Sequence, residues 1–142
     1  LVDSNILDLY SGIGSFGIEC ISRGAKKITF VEKNKPTFEI LEKNLNNLKV
    51  ENKAYIFQSD VKSFIKKPLN NHYDIIFLDP PFAEDNYIDE LKDIKSLNLY
   101  SKNHLIIIHR EKKSNEKLNN IIDVVSIKNY GRSKIIFGTF LN

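Results

Sequence analysis

Two rhythms of apolar residues alternate along this chain. Short runs of strand length fall at Asn5–Tyr10, Lys27–Glu32, Ala54–Phe57, Tyr73–Leu78 and His104–Ile108. Between them, apolar residues recur every three or four positions, the period of a helix with one buried face. Phe16, Cys20 and Ile21 share such a face, and Gly24 is placed to stop that helix. Asn34 and Pro36 open the next helix, which carries Phe38, Leu41, Leu45 and Leu48. Asp60 is placed to cap a short helix holding Val61, Phe64 and Ile65, and Tyr87, Leu91 and Ile94 predict another. Strict alternation of strand and helix predicts an α/β fold: a parallel sheet with helices on both faces. The unbroken run at His104–Ile108 fits a strand covered on both faces. The end of the chain departs from this rhythm. Val124–Asn129 and Ile135–Leu141 are separated by only Tyr130-Gly131-Arg132-Ser133, too little for a crossover helix, so they predict an antiparallel hairpin at the sheet edge.

Composition narrows the setting. The 142 residues, 42% hydrophobic and 27% charged, make one domain with room for a core. No apolar run approaches the ~20 residues of a membrane span, so no membrane partner is expected. Cys20 is the single cysteine, which excludes a disulfide framework or a cysteine metal cluster and makes the cytoplasm the expected location. The net charge of +3 gives slight support for an anionic partner. The chain has no methionine and opens at Leu1 just before an apolar strand, so we expect the natural N-terminus to lie further upstream.

Chemistry enters at the strand ends. Gly12, Gly14 and Gly17 satisfy G-x-G-x-x-G directly after a strand and opening a helix, where glycines allow a tight turn and close approach of backbone to ligand. Glu32, twenty residues after Gly12, ends the next strand, where a carboxylate can accept hydrogen bonds from both hydroxyls of a ribose. This pair points to an adenosine-containing cofactor and leaves open which one. Asp8 leads into the glycine turn, awkward beside a pyrophosphate and natural beside a cationic amine. Asp60 is placed to meet an adenine amine, or simply to cap its helix. Asp79-Pro80-Pro81-Phe82 follows a buried strand; two prolines forbid helix and ladder, leaving carbonyls without a regular partner beside a carboxylate and an aromatic ring. Such an acceptor cluster suits a planar group with an exocyclic amine. In a parallel sheet the carboxyl ends of the strands line one crevice, so these sites are expected to converge.

The joint pattern of Asp8-Leu9-Tyr10-Ser11-Gly12-Ile13-Gly14-Ser15-Phe16-Gly17-Ile18-Glu19, Ser22-Arg23-Gly24-Ala25, Phe30-Val31-Glu32, Asp79-Pro80-Pro81-Phe82 and the closing Tyr130-Gly131 resembles the bacterial small-subunit ribosomal RNA guanine-N2 methyltransferases (RsmD type) over nearly the whole chain. The resemblance implies a Rossmann-like class I S-adenosylmethionine-dependent fold over residues 1–142, with seven strands, the last antiparallel. It implies methylation of a guanine amine in 16S rRNA of the small subunit. By position, Asp8, Gly12 and Gly14 would hold the methionine part of S-adenosyl-L-methionine, Glu32 the ribose, and Asp60 with Val61 the adenine. Asp79, Pro80, Pro81 and Phe82 would hold the target base. Members of that family begin with a basic segment, including Arg-Pro-Thr, before the first strand, and this sequence does not contain it.

Several residues admit two readings. Lys112, Lys113 and Arg132 suit phosphate contacts or solvated surface, and Tyr87 suits a base pocket or the core. His109 follows a buried strand without an identifiable partner, so a structural role is expected; no metal site is expected. The same acceptor cluster would serve an adenine-amine methyltransferase on DNA or RNA. A nicotinamide-dependent oxidoreductase and a non-catalytic RNA-binding domain are the readings from other classes. A protein glutamine methyltransferase fits less well, because that group usually presents Asn where Asp79 stands. A monomer is expected.

Overall fold

The computed structural model describes residues 1–67 and 71–142. Its strands are β1 (Asn5–Leu9), β2 (Lys27–Glu32), β3 (Ala54–Gln58), β4 (Tyr73–Leu78), β5 (Tyr100–Glu111), β6 (Ile122–Tyr130) and β7 (Ser133–Phe140). Its helices are α1 (Ser15–Ser22), α2 (Lys35–Asn47), α3 (Val61–Ile65) and α4 (Tyr87–Ser96). The strands form one sheet in the order β3-β2-β1-β4-β5-β7-β6. Parallel pairing runs from β3 through β5, and β7 is antiparallel to both its neighbours. The hairpin expected at the edge is present, but it folds inward: β7 inserts beside β5 and leaves β6 as the rim.

Each sheet face buries its own core. Leu7, Leu9, Val31, Ile76, Leu78, Ile106 and Ile108 pack on one side against α3 and α4, through Val61, Phe64, Leu91 and Ile94. Ile6, Ile28 and Phe30 pack on the other against α1 and α2, through Cys20, Ile21, Leu41 and Leu45. Local chemistry sets the helix ends. Asn34 accepts the Thr37 N–H at 3.0 Å to start α2. Gly24, at φ +99°, ends α1, with the Ala25 N–H returning to the Cys20 carbonyl at 3.0 Å. Leu48 corrects the helical spacing: α2 stops at Asn47, Lys49 turns left-handed at φ +58°, and Leu48 is left 55% exposed.

Gly17 shows why the third glycine of the motif is needed. A Cβ there would lie 2.2 Å from Phe30 Cε1 and 3.0 Å from Ile28 Cγ2, both in fully buried residues of β2. The helix therefore rests on the sheet through a missing side chain. Gly17→Ala is expected to destabilise the protein by about 1–3 kcal/mol through overpacking. Urea unfolding reads this as a lower midpoint; an unchanged midpoint would mean that α1 shifts freely on β2.

Candidate active site

The carboxyl ends of β1 to β4 open into a crevice of about 830 Å³. It lies where the strand order reverses between β1 and β4, the usual ligand position in such sheets. Glu32, Asp60, Val61, Asp79 and Pro81 line it together with Tyr10, Ser59, Glu84 and Glu90. Five of the residues read from sequence thus meet in one place. The others take different positions around it.

The glycine turn does not itself line the crevice; it meets the site through Glu32, which does. Gly12 and Gly14 have φ +59° and +94°, which side chains disfavour, and Gly14 caps α1. The Gly12 N–H donates to Glu32 Oε1 at 2.9 Å, and the Asn34 N–H to Oε2 at 2.9 Å. Glu32 is thereby fixed between the turn and α2, with lone pairs left on both oxygens. Ser11 ties the turn to β2 from the other direction: its Oγ accepts the Val31 N–H at 2.9 Å.

Asp8 does not line the crevice. Its register partners are Phe30 and Phe77, so its carboxylate lies between two phenyl rings on the α1 face, fully buried. Neither oxygen finds a hydrogen-bond partner among the described residues. Burial pushes this carboxyl well above the ordinary range; the charges of Asp79 and Glu32 push the same way, and the nearby Gly17 amide offsets a part without completing a hydrogen bond. A carboxyl whose folded pKa is raised costs stability as pH climbs from its unfolded value through its folded one. Asp8→Asn removes that cost and is expected to stabilise the ligand-free protein near neutral pH by about 1–3 kcal/mol. Thermal unfolding at pH 7 checks this, and a lower Tm would contradict it.

Asp60 does cap α3: Ser63 donates its N–H to Oδ1 at 2.8 Å and its hydroxyl to Oδ2 at 2.9 Å. These bonds hold the carboxyl below its usual range, so it is ionised at the mouth of the crevice. Val61, 4% exposed, forms apolar floor beside it. Tyr10 and Glu90, which the sequence did not single out, bond to each other across the crevice, and burial raises both above their ordinary pKa values.

The loop after β4 is held from below. Arg110, 3% exposed, spreads its guanidinium over four carbonyls: Nη1 donates to Pro80 at 3.3 Å and Pro81 at 3.2 Å, Nη2 to Phe82 at 3.0 Å and Glu84 at 3.1 Å. The Pro80 carbonyl, expected to lack a regular partner, therefore has one; two prolines in a row remove donors, and a buried guanidinium supplies them. Glu116 accepts Arg110 Nε at 3.2 Å and Lys134 Nζ at 3.0 Å. Burial works to raise the Glu116 carboxyl, but bonds from Ser114 and Lys134 outweigh it and hold it below its usual range. Tyr87 is core: it is 1% exposed, donates its hydroxyl to Glu116 and lies under the Arg110 guanidinium at 4.7 Å.

Above the loop, Phe82 is 43% exposed at the rim. Asp79 Oδ1 lies 2.8 Å from His109 Nδ1, which supplies the partner that was not identifiable in the sequence. No group of three or more potential metal-ligating side chains occurs among the described residues. None of their helices is long and apolar enough to cross a membrane.

Comparison with known proteins agrees with this architecture. The family described as "Conserved hypothetical protein 95" matches residues 1–139. The ribosomal RNA small subunit methyltransferase D of Haemophilus influenzae is 38% identical over 111 residues, 77% of this chain and 58% of that protein. The protein of the same name from Buchnera aphidicola subsp. Baizongia pistaciae is 32% identical over 139 residues, 98% of this chain and 70% of that one. A crystal structure of a Haemophilus influenzae protein, described as a candidate methylase, superposes with a TM-score of 0.83 at 33% identity, covering 99% of this chain and 88% of that one. The chain spans a little over half the length of the Haemophilus methyltransferase it matches. The fold is Rossmann-like, and the chain belongs to the conserved hypothetical protein 95 family, the family of the ribosomal RNA small subunit methyltransferase D proteins.

Proposed function

We propose that this chain is a single-domain, S-adenosyl-L-methionine-dependent methyltransferase that acts in the cytoplasm on the exocyclic amine of a guanine in 16S rRNA of the small ribosomal subunit. The observation that carries the reading is the convergence of Glu32, Asp60 and Asp79 on one crevice, with Phe82 exposed beside Asp79. Names of relatives support the ribosomal RNA substrate.

The donors and acceptors present fit the cofactor. The crevice volume lies within the range of small-ligand sites. Glu32 keeps acceptor capacity for the ribose hydroxyls, Asp60 and Val61 offer an acceptor and an apolar floor for adenine, and a Cβ on Gly12 would meet only open space. The buried carboxyl of Asp8, near the Gly17 amide and without a hydrogen-bond partner among the described residues, suits a cationic amine close to the turn. When bound, the cofactor supplies a methyl group made electrophilic by a positively charged sulfur.

The chain's residues then act on the base. A guanine amine is a poor nucleophile because its lone pair is delocalised into the ring. Asp79 Oδ2, which has no hydrogen-bond partner among the described residues, accepts an amine hydrogen and localises that lone pair. Pro81 helps to wall the crevice, and Pro80 carries the loop down to Arg110. Phe82 offers a stacking face to a base swung out of RNA structure. The Lys112 N–H donates to the Arg132 carbonyl at 2.7 Å, which joins Lys112, Lys113 and Arg132 into one exposed basic group for phosphates beyond the end of β5.

Incubating the protein with methyl-labelled cofactor and small ribosomal subunits, then digesting the RNA to nucleosides, tests the reading. The expected product is N2-methylguanosine; N6-methyladenosine would replace the substrate base, and no label would reject the proposal.

A further inference from the structure

We infer that His109 is a positioning residue for the acceptor carboxylate: it holds Asp79 Oδ1 and leaves Oδ2 as the oxygen presented to the incoming amine. This rests on the reading of Asp79 given above. It begins with strand register. Leu78 of β4 pairs in parallel with Ile108 of β5, so the next residues, Asp79 and His109, emerge side by side at the carboxyl end of the sheet. Both point to the face of Phe77 and Ile107, opposite to the face on which Ile108 and Arg110 are buried.

The resulting contact is the sole hydrogen bond that the Asp79 side chain makes among the described residues, 2.8 Å from His109 Nδ1. Asp79 is 44% exposed at its side chain, so without a partner its short carboxylate rotates among several orientations. Among the described residues its backbone is tied by one hydrogen bond, from its N–H to the Leu9 carbonyl at 3.4 Å. His109 is held more firmly, 28% exposed at its side chain, with the Phe82 ring 5.5 Å away. One hydrogen bond from a seated ring thus selects the orientation of a mobile acid.

The chemistry of the pair fixes the proton. An ionised carboxylate only accepts, so Nδ1 of His109 is the nitrogen that carries hydrogen. Neutral imidazole and imidazolium both keep Nδ1–H, so the contact survives a change of ring charge. Outside the pair, Asp8 on β1 acts on Asp79 through space, and Glu32, Lys33, Asp60, Lys62, Glu84 and Glu90 share the crevice that Asp79 lines; the β7 partner of His109 is the uncharged Ile135, and Arg110 and Lys134 are committed to the loop carbonyls, Glu116 and Ser114. As a partly exposed pair it contributes little to stability, so its effect belongs on the reaction.

The test combines a ligand-free measurement with kinetics. Nitrogen-15 spectra of the three histidines at pH 7 to 8 are expected to show His109 with hydrogen on Nδ1, and Asp79→Ala is expected to release it to the Nε2–H form. His104 is the internal standard, since its Nε2 accepts the Phe140 N–H at 2.9 Å and its Nδ1 faces the Ser101 carbonyl. In methyl transfer, His109→Ala is expected to lower kcat by about 10–100-fold, the scale of a misplaced reacting group. KM for small subunits and affinity for S-adenosylhomocysteine stay within about twofold, and His109→Asn, whose amide donates from nearly the same place, restores most of kcat. An Nε2–H form in the wild type, an unchanged kcat in His109→Ala, or a His109→Asn variant no better than alanine overturns the inference. If the wild type itself transfers no methyl group, the functional reading falls and this role falls with it.

Discussion

Asp79→Ala is expected to lower methyl transfer at saturating substrate by about 10²–10⁴-fold, the range over which a positioned proton acceptor contributes. Affinity for S-adenosylhomocysteine stays within about twofold, because the residues proposed to hold the adenosine part are on β2 and α3 and are tied independently of Asp79. Glu32 bonds to Gly12 and Asn34, and Asp60 bonds to Ser63. Asp79→Asn separates two roles. An amide oxygen still accepts an amine hydrogen but takes up no proton, so partial activity points to orientation of the amine, and full loss points to the carboxylate as the proton's destination. Parallel titrations of wild type and both variants with S-adenosylhomocysteine, beside single-turnover transfer, read the prediction. A loss of cofactor affinity as large as the loss of rate would reassign Asp79 to the cofactor.

Arg110→Ala carries the second large effect. The guanidinium satisfies four carbonyls of the loop at 80–84 and half of the charge balance at Glu116. Removing one member of a buried ionic group costs about 3–5 kcal/mol, since the remaining charge and carbonyls stay buried without partners. For a domain of this size that is a fall in Tm of roughly 6–20 °C. Transfer measured well below the lowered Tm still falls, because Asp79 and Phe82 belong to the loop that Arg110 tethers. Arg110→Lys keeps the charge but not the fork of donors, so it recovers part of the stability and little of the loop geometry. An Arg110→Ala protein with unchanged Tm and rate would show that the loop is held by its prolines alone.

The parts of the site that were legible in sequence are those whose chemistry lies in consecutive residues. The glycine turn needs glycines at fixed offsets, Glu32 follows at the length of one strand–helix–strand unit, and Asp79-Pro80-Pro81-Phe82 announces a chain that leaves the sheet. The alternating rhythm gave the parallel sheet for the same reason. The roles of His109 and Arg110 were not legible, because Asp79 and the loop carbonyls they bond are 26 to 30 residues away and meet them only through the pairing of β4 with β5. A signal did exist: aligning the carboxyl ends of the two apolar runs, Leu78 against Ile108, places Asp79 beside His109. The alternation of faces then sends Arg110 under the loop. Asp8 illustrates a different limit. Sequence placed a carboxylate at the turn, but its burial between Phe30 and Phe77 follows from registers in both neighbouring strands. Leu48 kept the helical spacing and still missed the core, because the helix ended one residue earlier.

Everything proposed for the base depends on what fills the crevice beside Glu32. Calorimetric titration of the protein with S-adenosylhomocysteine, with NADH titrated in parallel, is the measurement that addresses this directly. Saturable binding of S-adenosylhomocysteine at one site, weakened by Glu32→Ala, and no heat from NADH are expected. Binding of NADH in place of S-adenosylhomocysteine would contradict this and return the glycine turn to an oxidoreductase.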